Sequence, residues 1–165
     1  SIIANGGTIV LPPQSKQVEH EGELVAVIGK RAKNVTAEVA KEYIFGYTIG
    51  NDVTGRDLQK TDGQWTRAKG FDTFCPFGPW IDTDFDPSDA VVTCRVNGQM
   101  RQMASTRDMV FNVGTLIAYI SSVMTLEPGD LIFTGTPAGV GELNNGDVVD
   151  VEIEGLGKLS NPVKS

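Results

Sequence analysis

Turn-forming residues divide this sequence into short apolar segments, and that spacing constrains the fold more than any other feature. The 19 glycines and 8 prolines separate runs that are too short for most helices but long enough for strands. Five runs predict strands, at residues 8–11, 23–28, 91–96, 130–134 and 148–153. The stretch VNGQ at residues 96–99 adds a strong Asn-Gly hairpin signal.

Two further segments have the periodicity of an amphipathic helix. Residues 36–46 begin with Thr36, a suitable N-cap, and end with Gly46 as the expected stop. Residues 105–126 predict a longer helix with Thr106 as its N-cap. Its apolar stripe comprises Met109, Val113, Leu116, Ile117, Ile120 and Met124. Many strands with few helices, not in βαβ alternation, predict a β-rich α+β fold.

Composition limits the class of partner. A length of 165 residues suits one domain, and a net charge of −7 is unfavourable for binding nucleic acid or an anionic membrane. No apolar run reaches the roughly 18 residues of a membrane span, and the start has no signal-peptide pattern. Cys75 and Cys94 are too few for a disulfide scaffold, and we expect ordinary core thiols. The sequence therefore predicts a cytoplasmic protein.

Glu21 and Glu23 flank a glycine at the start of a predicted buried strand. In an extended chain both side chains point to one face, where two like charges resist burial. An exposed edge strand with solvated glutamates is the ordinary interpretation of such a pattern. His20 would face the opposite side, which favours a structural or surface role for it.

Asp52 follows an apolar segment and offers a third carboxylate. If a helical turn begins near Asp52, then Arg56 and Gln59 share its face. Alternatively, Asp52 is a helix N-cap and Arg56 is its ion-pair partner. Lys69 lies in the aromatic segment 65–80, where a semi-buried structural loop is the alternative to a site lysine.

Taken together, these residues predict a metal site. Glu21, Glu23 and Asp52 supply only oxygen ligands, which suit Mg²⁺, Mn²⁺ or Ca²⁺ better than Zn²⁺. Three side chains would then hold an anionic ligand against the ion: Arg56, Gln59 and Lys69. The glycine-rich residues 133–141 (FTGTPAGVG) form either an anion-binding nest or a wide turn, and they lack the Gly-Lys-Ser/Thr of a P-loop.

The order of these motifs resembles that of the fumarylacetoacetate hydrolase family, nearly from end to end. The matching stretches are EGELVAVIGK, GYTIGNDVTGRDLQ, QWTRAKGFDTFCPFGPW, VNGQ, LEPGDLIFTGTPAGVG and GDVVDVEIEGLG. The resemblance implies a mixed β-sandwich roll with a few short helices. It also implies one catalytic domain over residues 1–165 and a homodimer or higher homo-oligomer.

The resemblance also implies roles for single residues. The family's metal-binding Glu-x-Glu pair and later Asp correspond to Glu21, Glu23 and Asp52. Its substrate-side residues correspond to Arg56, Gln59 and Lys69, and the substrate-binding Thr-Gly-Thr-Pro segment to Gly135 and Thr136.

Residues 69–80 are most similar to the bacterial subgroup named for 2-hydroxyhepta-2,4-diene-1,7-dioate isomerase and to related decarboxylases of aromatic catabolism. This similarity implies a metal-dependent enzyme that acts on small anionic 2-oxo or 2-hydroxy-dienoic dicarboxylates through a metal-stabilised enolate. The alternatives within the family are an acylpyruvate or fumarylpyruvate C–C hydrolase and an oxaloacetate decarboxylase.

One departure from the family concerns its hydrolases, which carry a water-activating His-Glu pair on a lid upstream of the metal motif. Here His20 is the only histidine, and it adjoins that motif, so we expect a domain that lacks the lid segment. Two other interpretations stay open: a non-catalytic β module with a structural Ca²⁺, and a truncated member that assembles with a partner chain. Arg56, Gln59 and Lys69 disfavour the first, because a structural site needs no substrate-facing cations.

Overall fold

The computed structural model describes all residues from 1 to 165 and is built mainly of short strands. The strands are β1 (Ile2–Ile3), β2 (Ile9–Val10), β3 (Val18–His20), β4 (Gly22–Ile28), β5 (Ile44–Asn51), β6 (Thr54–Gly55), β7 (Cys75–Asp82), β8 (Val91–Val96), β9 (Gln99–Ser105), β10 (Leu131–Phe133), β11 (Gly141–Glu142), β12 (Val148–Ile153) and β13 (Gly157–Lys164). The α-helices are α1 (Arg56–Asp62), α2 (Thr66–Lys69) and α3 (Val113–Val123). None of the helices is both long and apolar enough to span a bilayer.

The strands form three sheets, of which the two larger ones have five strands each. Their orders are β1-β7-β5-β4-β10 and β2-β13-β12-β8-β9, and the third sheet has the order β11-β3-β6. Only β1–β7 and β2–β13 pair in parallel, and the other pairs are antiparallel. The β-rich α+β prediction, with mixed sheets and a few short helices, is confirmed.

A single core of 27 buried apolar residues joins the two larger sheets. The two sheets approach closely at Gly22, because a Cβ there would lie 3.0 Å from Val151 Cγ1 and 3.4 Å from Cys94 Cβ. The glycine between Glu21 and Glu23 therefore lets β4 lie against β12 and β8. This packing fixes the strand that carries both glutamates.

The predicted strands all exist, with small differences at their ends. Residues 8–11 are β2, 23–28 are β4, 91–96 are β8, 130–134 are β10 and 148–153 are β12. The predicted hairpin joins β8 to β9, with φ of 52° at Asn97 and 76° at Gly98. Positive φ at both central residues is what a type I′ turn requires.

The predicted helix at residues 36–46 is wrong. Only a single 3₁₀ turn forms, at Ala40–Tyr43, and Ile44 already begins β5. Gly46 is not a helix stop: a Cβ there would lie 2.8 Å from Ile81 Cγ2, so the glycine permits close approach of β5 to β7. Pairing with β4 and β7 outweighs the local helical pattern.

The second predicted helix begins later than expected. Asn112, not Thr106, is the N-cap of α3, and its side-chain oxygen accepts a hydrogen bond from Thr115 N at 2.9 Å. Thr106 instead begins a 3₁₀ turn, and its Oγ1 accepts from Ala90 N at 2.9 Å. Of the predicted stripe, Val113 and Ile117 are buried, whereas Met124 is 56% exposed.

Candidate metal centre

The two glutamates on either side of Gly22 at the start of β4, Glu21 and Glu23, are buried rather than solvated. Glu21 is 7% exposed and Glu23 is 3% exposed, so the edge-strand interpretation is wrong. Their carboxylate oxygens and that of Asp52 all lie within 4.8 Å of one another. Buried carboxylates at this separation repel unless a cation compensates them. The residues predicted to share a metal ion are therefore brought together.

Backbone pairing between β4 and β5 brings Asp52 to the glutamates. Gly22 pairs with Asn51 at the end of the ladder, and the next amide, Asp52 N, donates to Glu21 O at 2.9 Å. In return, Glu21 N donates to the side-chain oxygen of Asn51 at 2.9 Å. The third carboxylate thus lies beside the first although they are far apart in sequence.

Lys69, at the end of α2, lies against this cluster. Its ammonium donates to Asp52 Oδ2, to Glu21 Oε2 at 3.2 Å and to Thr54 Oγ1 at 3.0 Å. Burial opposes the charged form, but the hydrogen bond and the charge of Asp52 outweigh it and raise the pKa of Lys69. The side chain therefore stays an ammonium and supplies positive charge to the site.

Arg56 is fully engaged by its own neighbours. Its Nε donates to Glu19 at 2.7 Å, its Nη1 to Gln59 Oε1 at 2.6 Å, and its Nη2 to Glu21. The alternative that paired Arg56 with Asp52 is wrong, and α1 begins at Arg56 with Gly55, not Asp52, at its N-cap position. The guanidinium thus orients Glu21, and Gln59 supports the guanidinium.

Glu23 is bound from the other side by the glycine-rich loop. Gly135 N donates to Glu23 Oε2 at 2.7 Å. Burial and then the charge of Asp52 raise the pKa of Glu23 to about 8. A cluster of carboxylates that holds a proton near neutral pH suits a divalent ion with a preference for oxygen ligands. Such an ion replaces the proton and relieves the repulsion between the carboxylates.

The glycine-rich loop after β10 is held to β4 by four hydrogen bonds, one of which runs from Thr134 N to Leu24 O at 3.2 Å. Thr134 Oγ1 donates to Leu24 O at 2.9 Å, Thr136 Oγ1 donates to Gly22 O at 2.9 Å, and the Gly135 amide binds Glu23. Gly135 has φ of 98°, which favours glycine at this position. The loop amide thus binds the protein's own Glu23 carboxyl group.

A cavity of about 360 Å³ opens beside Glu23, Gly135 and Thr136. Its far wall consists of residues from β8, β9, α3 and the segment that leads into α3, and it combines the polar Ser105, Thr106 and Asp108 with apolar side chains. The apolar side chains are Val92, Ala104, Met109, Val110, Phe111 and Leu116. The cavity is therefore a place where a small molecule could contact the carboxylate cluster.

The only histidine is structural rather than catalytic. His20 is fully buried, its Nδ1 lies 3.1 Å from Gln102 Oε1, and burial lowers its pKa. Cys94 is buried beside it with a pKa raised by burial to about 12, and burial also raises the pKa of the half-buried Cys75. The expected surface alternative for His20 is wrong, and neither thiol is an activated nucleophile.

Sequence reasoning missed several buried polar residues of this site, including Thr54, which accepts from Lys69. Glu19, at the position two before Glu21, could have been found by extending the same alternation, and it is 7% exposed. Asn51 and Gln102, each 1% exposed, gave no local signal. Gln102 is distant in sequence from every ligand, and it reaches the site because the sheet that contains β9 packs against the sheet that contains β4.

Comparison with known proteins gives consistent matches. Residues 1–164 match the family described as the C-terminal part of fumarylacetoacetate hydrolase. A protein of Methanocaldococcus jannaschii is 57% identical over 99% of this chain and 69% of its own length. The mitochondrial oxaloacetate tautomerase of Rattus norvegicus is 45% identical over 99% of this chain and 56% of its own.

Solved structures match equally well. The 2-hydroxyhepta-2,4-diene-1,7-dioate isomerase of Mycobacterium marinum has a TM-score of 0.97 and 56% identity, covering 99% of this chain and 65% of its own. The fumarylpyruvate hydrolase of Pseudomonas aeruginosa, solved with Mn²⁺ and pyruvate, has a TM-score of 0.92 and 34% identity, covering 99% and 74%. The chain thus spans 56% to 74% of these matched proteins.

Proposed function

This chain belongs to the fumarylacetoacetate hydrolase family, and from that membership we propose that it is the metal-binding part of an isomerase. Its substrates would be small 2-hydroxy-dienoic or 2-oxo dicarboxylates of the kind that arise in aromatic catabolism. Named relatives include isomerases, hydrolases and a tautomerase, so a non-catalytic Ca²⁺ module is the weaker alternative.

The observation that carries this proposal is the carboxylate cluster beside the cavity. Glu21, Glu23 and Asp52 present oxygens within 4.8 Å of one another, and Glu23 also lines the cavity. These three residues would hold Mg²⁺ or Mn²⁺, with Ca²⁺ as a further candidate. Support for Mn²⁺ comes from the Pseudomonas aeruginosa hydrolase, which was solved with that ion. When bound, the ion draws electron density from a 2-oxo carboxylate and stabilises enolate charge.

The chain's own residues would bind and orient the substrate. Gly135 and Thr136 border the cavity and would position the carboxylate end of the ligand. Lys69, as an ammonium, would stabilise negative charge that develops on oxygen and donate a proton from Nζ. Arg56 would fix the orientation of Glu21, to which it donates a hydrogen bond. Gln59 would hold Arg56 in place by accepting a hydrogen bond from it.

Isomerisation fits these residues best because it moves a proton without activating water. Lys69 is the candidate group that would donate this proton to carbon and regain one from the enol hydroxyl group as it becomes the 2-oxo group, whereas His20 is buried and turned to Gln102. Keto–enol tautomerisation of oxaloacetate needs the same elements, and the tautomerase of Rattus norvegicus is 45% identical. Oxaloacetate decarboxylation would share the enolate.

C–C hydrolysis is the second candidate, and it is favoured by the match to fumarylpyruvate hydrolase over 99% of this chain. It would require a base that activates water, and none of the residues around the carboxylate cluster has that role here. A water-activating residue outside residues 1–165 would provide it.

The test is a metal-reconstituted activity screen. The protein is loaded with Mn²⁺ or Mg²⁺ and offered 2-hydroxyhepta-2,4-diene-1,7-dioate, fumarylpyruvate, acylpyruvates and oxaloacetate, with loss of enol absorbance and product identity as readouts. We expect isomerisation of the dienedioate, and Asp52→Asn should abolish it together with Mn²⁺ binding. Asp84→Asn, at an exposed position, is the control. Metal-independent turnover, or full activity of Asp52→Asn after chelator treatment, would contradict the proposal.

We also propose that the protein assembles as a homodimer or higher homo-oligomer. Support comes from exposed apolar side chains on and beside α3, where Tyr119 is 72% and Val123 is 64% exposed. These two residues share a face of the helix. Light scattering after size-exclusion chromatography should give at least twice the mass of one chain.

A further inference from the structure

Gln102, on β9, uses every hydrogen-bonding position of its side chain at the candidate metal centre. Its Oε1 accepts from Gly22 N at 3.1 Å and lies 3.1 Å from His20 Nδ1. Its Nε2 donates to Thr136 Oγ1 at 2.8 Å and to Pro137 O at 2.8 Å. The residue is 1% exposed. A side-chain amide so fully used and so buried is costly to replace.

The orientation of this amide is fixed by its partners. Gly22 N–H can only donate and Pro137 C=O can only accept, so the oxygen faces β4 and the nitrogen faces the loop. Because the oxygen faces His20, the Nδ1 of that histidine carries the proton. His20 is thereby fixed as a neutral donor that helps to hold Gln102.

The two ends of Gln102 touch the two segments that form the site. Gly22 lies between the candidate ligands Glu21 and Glu23, and Thr136 follows Gly135, which donates to Glu23. The loop lies tightly on β9 beyond this point: a Cβ on Gly139 would meet Arg101 O and would lie 3.3 Å from Gln102 Cγ. Gln102 is thus a side chain from a separate strand that is bonded to both segments, in addition to the hydrogen bonds that join them directly.

We infer that Gln102 is a positioning residue of the metal centre, which holds the Gly135–Thr136 loop against the Glu21-Gly22-Glu23 strand so that Glu23 keeps its orientation. The inference rests on the proposed function, because the role that it gives Gln102 presupposes that the site binds a metal ion. Residues that orient ligands from behind typically change metal affinity by about 10- to 100-fold when they are removed.

The test compares Gln102→Met with Asn161→Leu. Methionine keeps the length of the side chain but none of its hydrogen bonds. Asn161 is an equally buried amide, whose Nδ2 donates to Ala4 O at 3.1 Å and Gly7 O at 2.8 Å, away from the metal centre. Titration calorimetry gives the Mn²⁺ dissociation constant, and hydrogen exchange of the Gly135 amide is followed in metal-free protein.

We expect Gln102→Met to raise the Mn²⁺ dissociation constant by about 10- to 100-fold and to speed exchange at Gly135. Asn161→Leu should lower the melting temperature but leave both readouts unchanged. Unchanged Mn²⁺ affinity in Gln102→Met would overturn the inference, and so would equal weakening in Asn161→Leu. If Gln102→Met fails to fold, Gln102→Glu, which keeps the acceptor toward Gly22 and His20, gives the same comparison by exchange.

The two proposals fail differently. A wild-type protein that binds no Mn²⁺, Mg²⁺ or Ca²⁺ contradicts the metal-dependent function and, with it, the purpose assigned to Gln102. A wild-type protein that binds Mn²⁺ with an affinity insensitive to Gln102 leaves the proposed function standing and overturns only the positioning role.

Discussion

Glu23 holds a proton that a divalent ion must displace. Burial and the Asp52 charge raise its pKa to about 8, from a model-compound value of 4.5. In metal-free protein at neutral pH, the neutral acid still accepts the Gly135 hydrogen bond while avoiding repulsion from Asp52. Metal binding should therefore release a proton and strengthen as pH rises toward 8.

The raised pKa of Glu23 also predicts how the metal-free protein responds to pH. Between pH 4.5 and about 8 the folded chain holds this proton and the unfolded chain does not. The free energy of unfolding should therefore fall as pH rises, by up to about 1.4 kcal/mol per pH unit. Denaturant unfolding of chelator-treated protein across this window measures the slope.

Glu23→Gln is the matched control, since the amide oxygen can still accept from Gly135 but carries no titrating proton. The fall of the unfolding free energy with pH should be smaller in Glu23→Gln, by the contribution of the Glu23 carboxyl group. Identical slopes in the two proteins would show that Glu23 does not titrate in this window.

Lys69 should matter for turnover and not for holding the ion. Its ammonium competes with a divalent ion for Asp52 and Glu21, so Lys69→Met should bind Mn²⁺ at least as tightly as wild type. Loss of the charge that stabilises the enolate should lower kcat by about 100-fold or more. Calorimetry and steady-state kinetics measure the two effects, with the exposed Lys60 changed to Met as control. Weakened Mn²⁺ binding in Lys69→Met would place the lysine's role in metal retention instead.

At the scale of elements, predictions succeeded where the local pattern and the sheet agree. β4, β8 and β12 have apolar runs bounded by turn residues, and their pairing keeps those bounds. The helix predicted at residues 36–46 does not form, because its periodicity is a local property, whereas the strands that pair with β5 are distant in sequence. Ile44 pairs with Ile28, which lies outside the segment whose periodicity predicted the helix.

The same reasoning explains which parts of the metal centre were predictable. The spacing of Glu21 and Glu23 beside an apolar run identifies them in the sequence. The position of Asp52 after a second apolar run identifies it as the third carboxylate. Glu19 only continues the same alternation, and Gln102 has no local signal at all. β3 brings Glu19 to the site by strand pairing, and β9 brings Gln102 there because one sheet packs against the other, so this information lies in contacts between distant segments.

Gly50, on β5 opposite Glu23, should tolerate no side chain. A Cβ there would lie 2.6 Å from Val25 Cγ2 and would overlap the Phe133 ring, at the end of β10 just before the Gly135 loop. Gly50→Ala should cost about 1–3 kcal/mol of stability through overpacking, as measured by denaturant unfolding. It should also weaken Mn²⁺ binding, because displacing Phe133 displaces the amide that binds Glu23.

Gly141→Ala on β11 is the matched control. The nearest atom to its added Cβ is His20 Nε2 at 3.5 Å, an ordinary contact, so this change should cost far less. Equal losses in both variants would mean that the cost reflects glycine in a strand and not the space around Gly50.

For the whole molecule, removal of metal should lower stability. An ion that binds only the folded protein stabilises it by about 2.7 kcal/mol at 100 times its dissociation constant. In a domain of this size that corresponds to a rise in melting temperature of about 5–10 °C. Calorimetric scans with Mn²⁺ and with chelator measure it. Asp52→Asn should show no rise, and an equal rise in that variant would locate the ion elsewhere.

The parallel pairing of β2 with β13 places Ile9 beside Val163, which has a consequence for synthesis on the ribosome. At rates of about 5–20 residues per second, Ile9 emerges roughly 8–30 s before the residue that pairs with it. Until then the edge of β13 does not exist, and the second sheet cannot close. The strands β4 and β5, which bring the carboxylate cluster together, are synthesised early, but the sheet behind that cluster cannot be completed until β13 has been made.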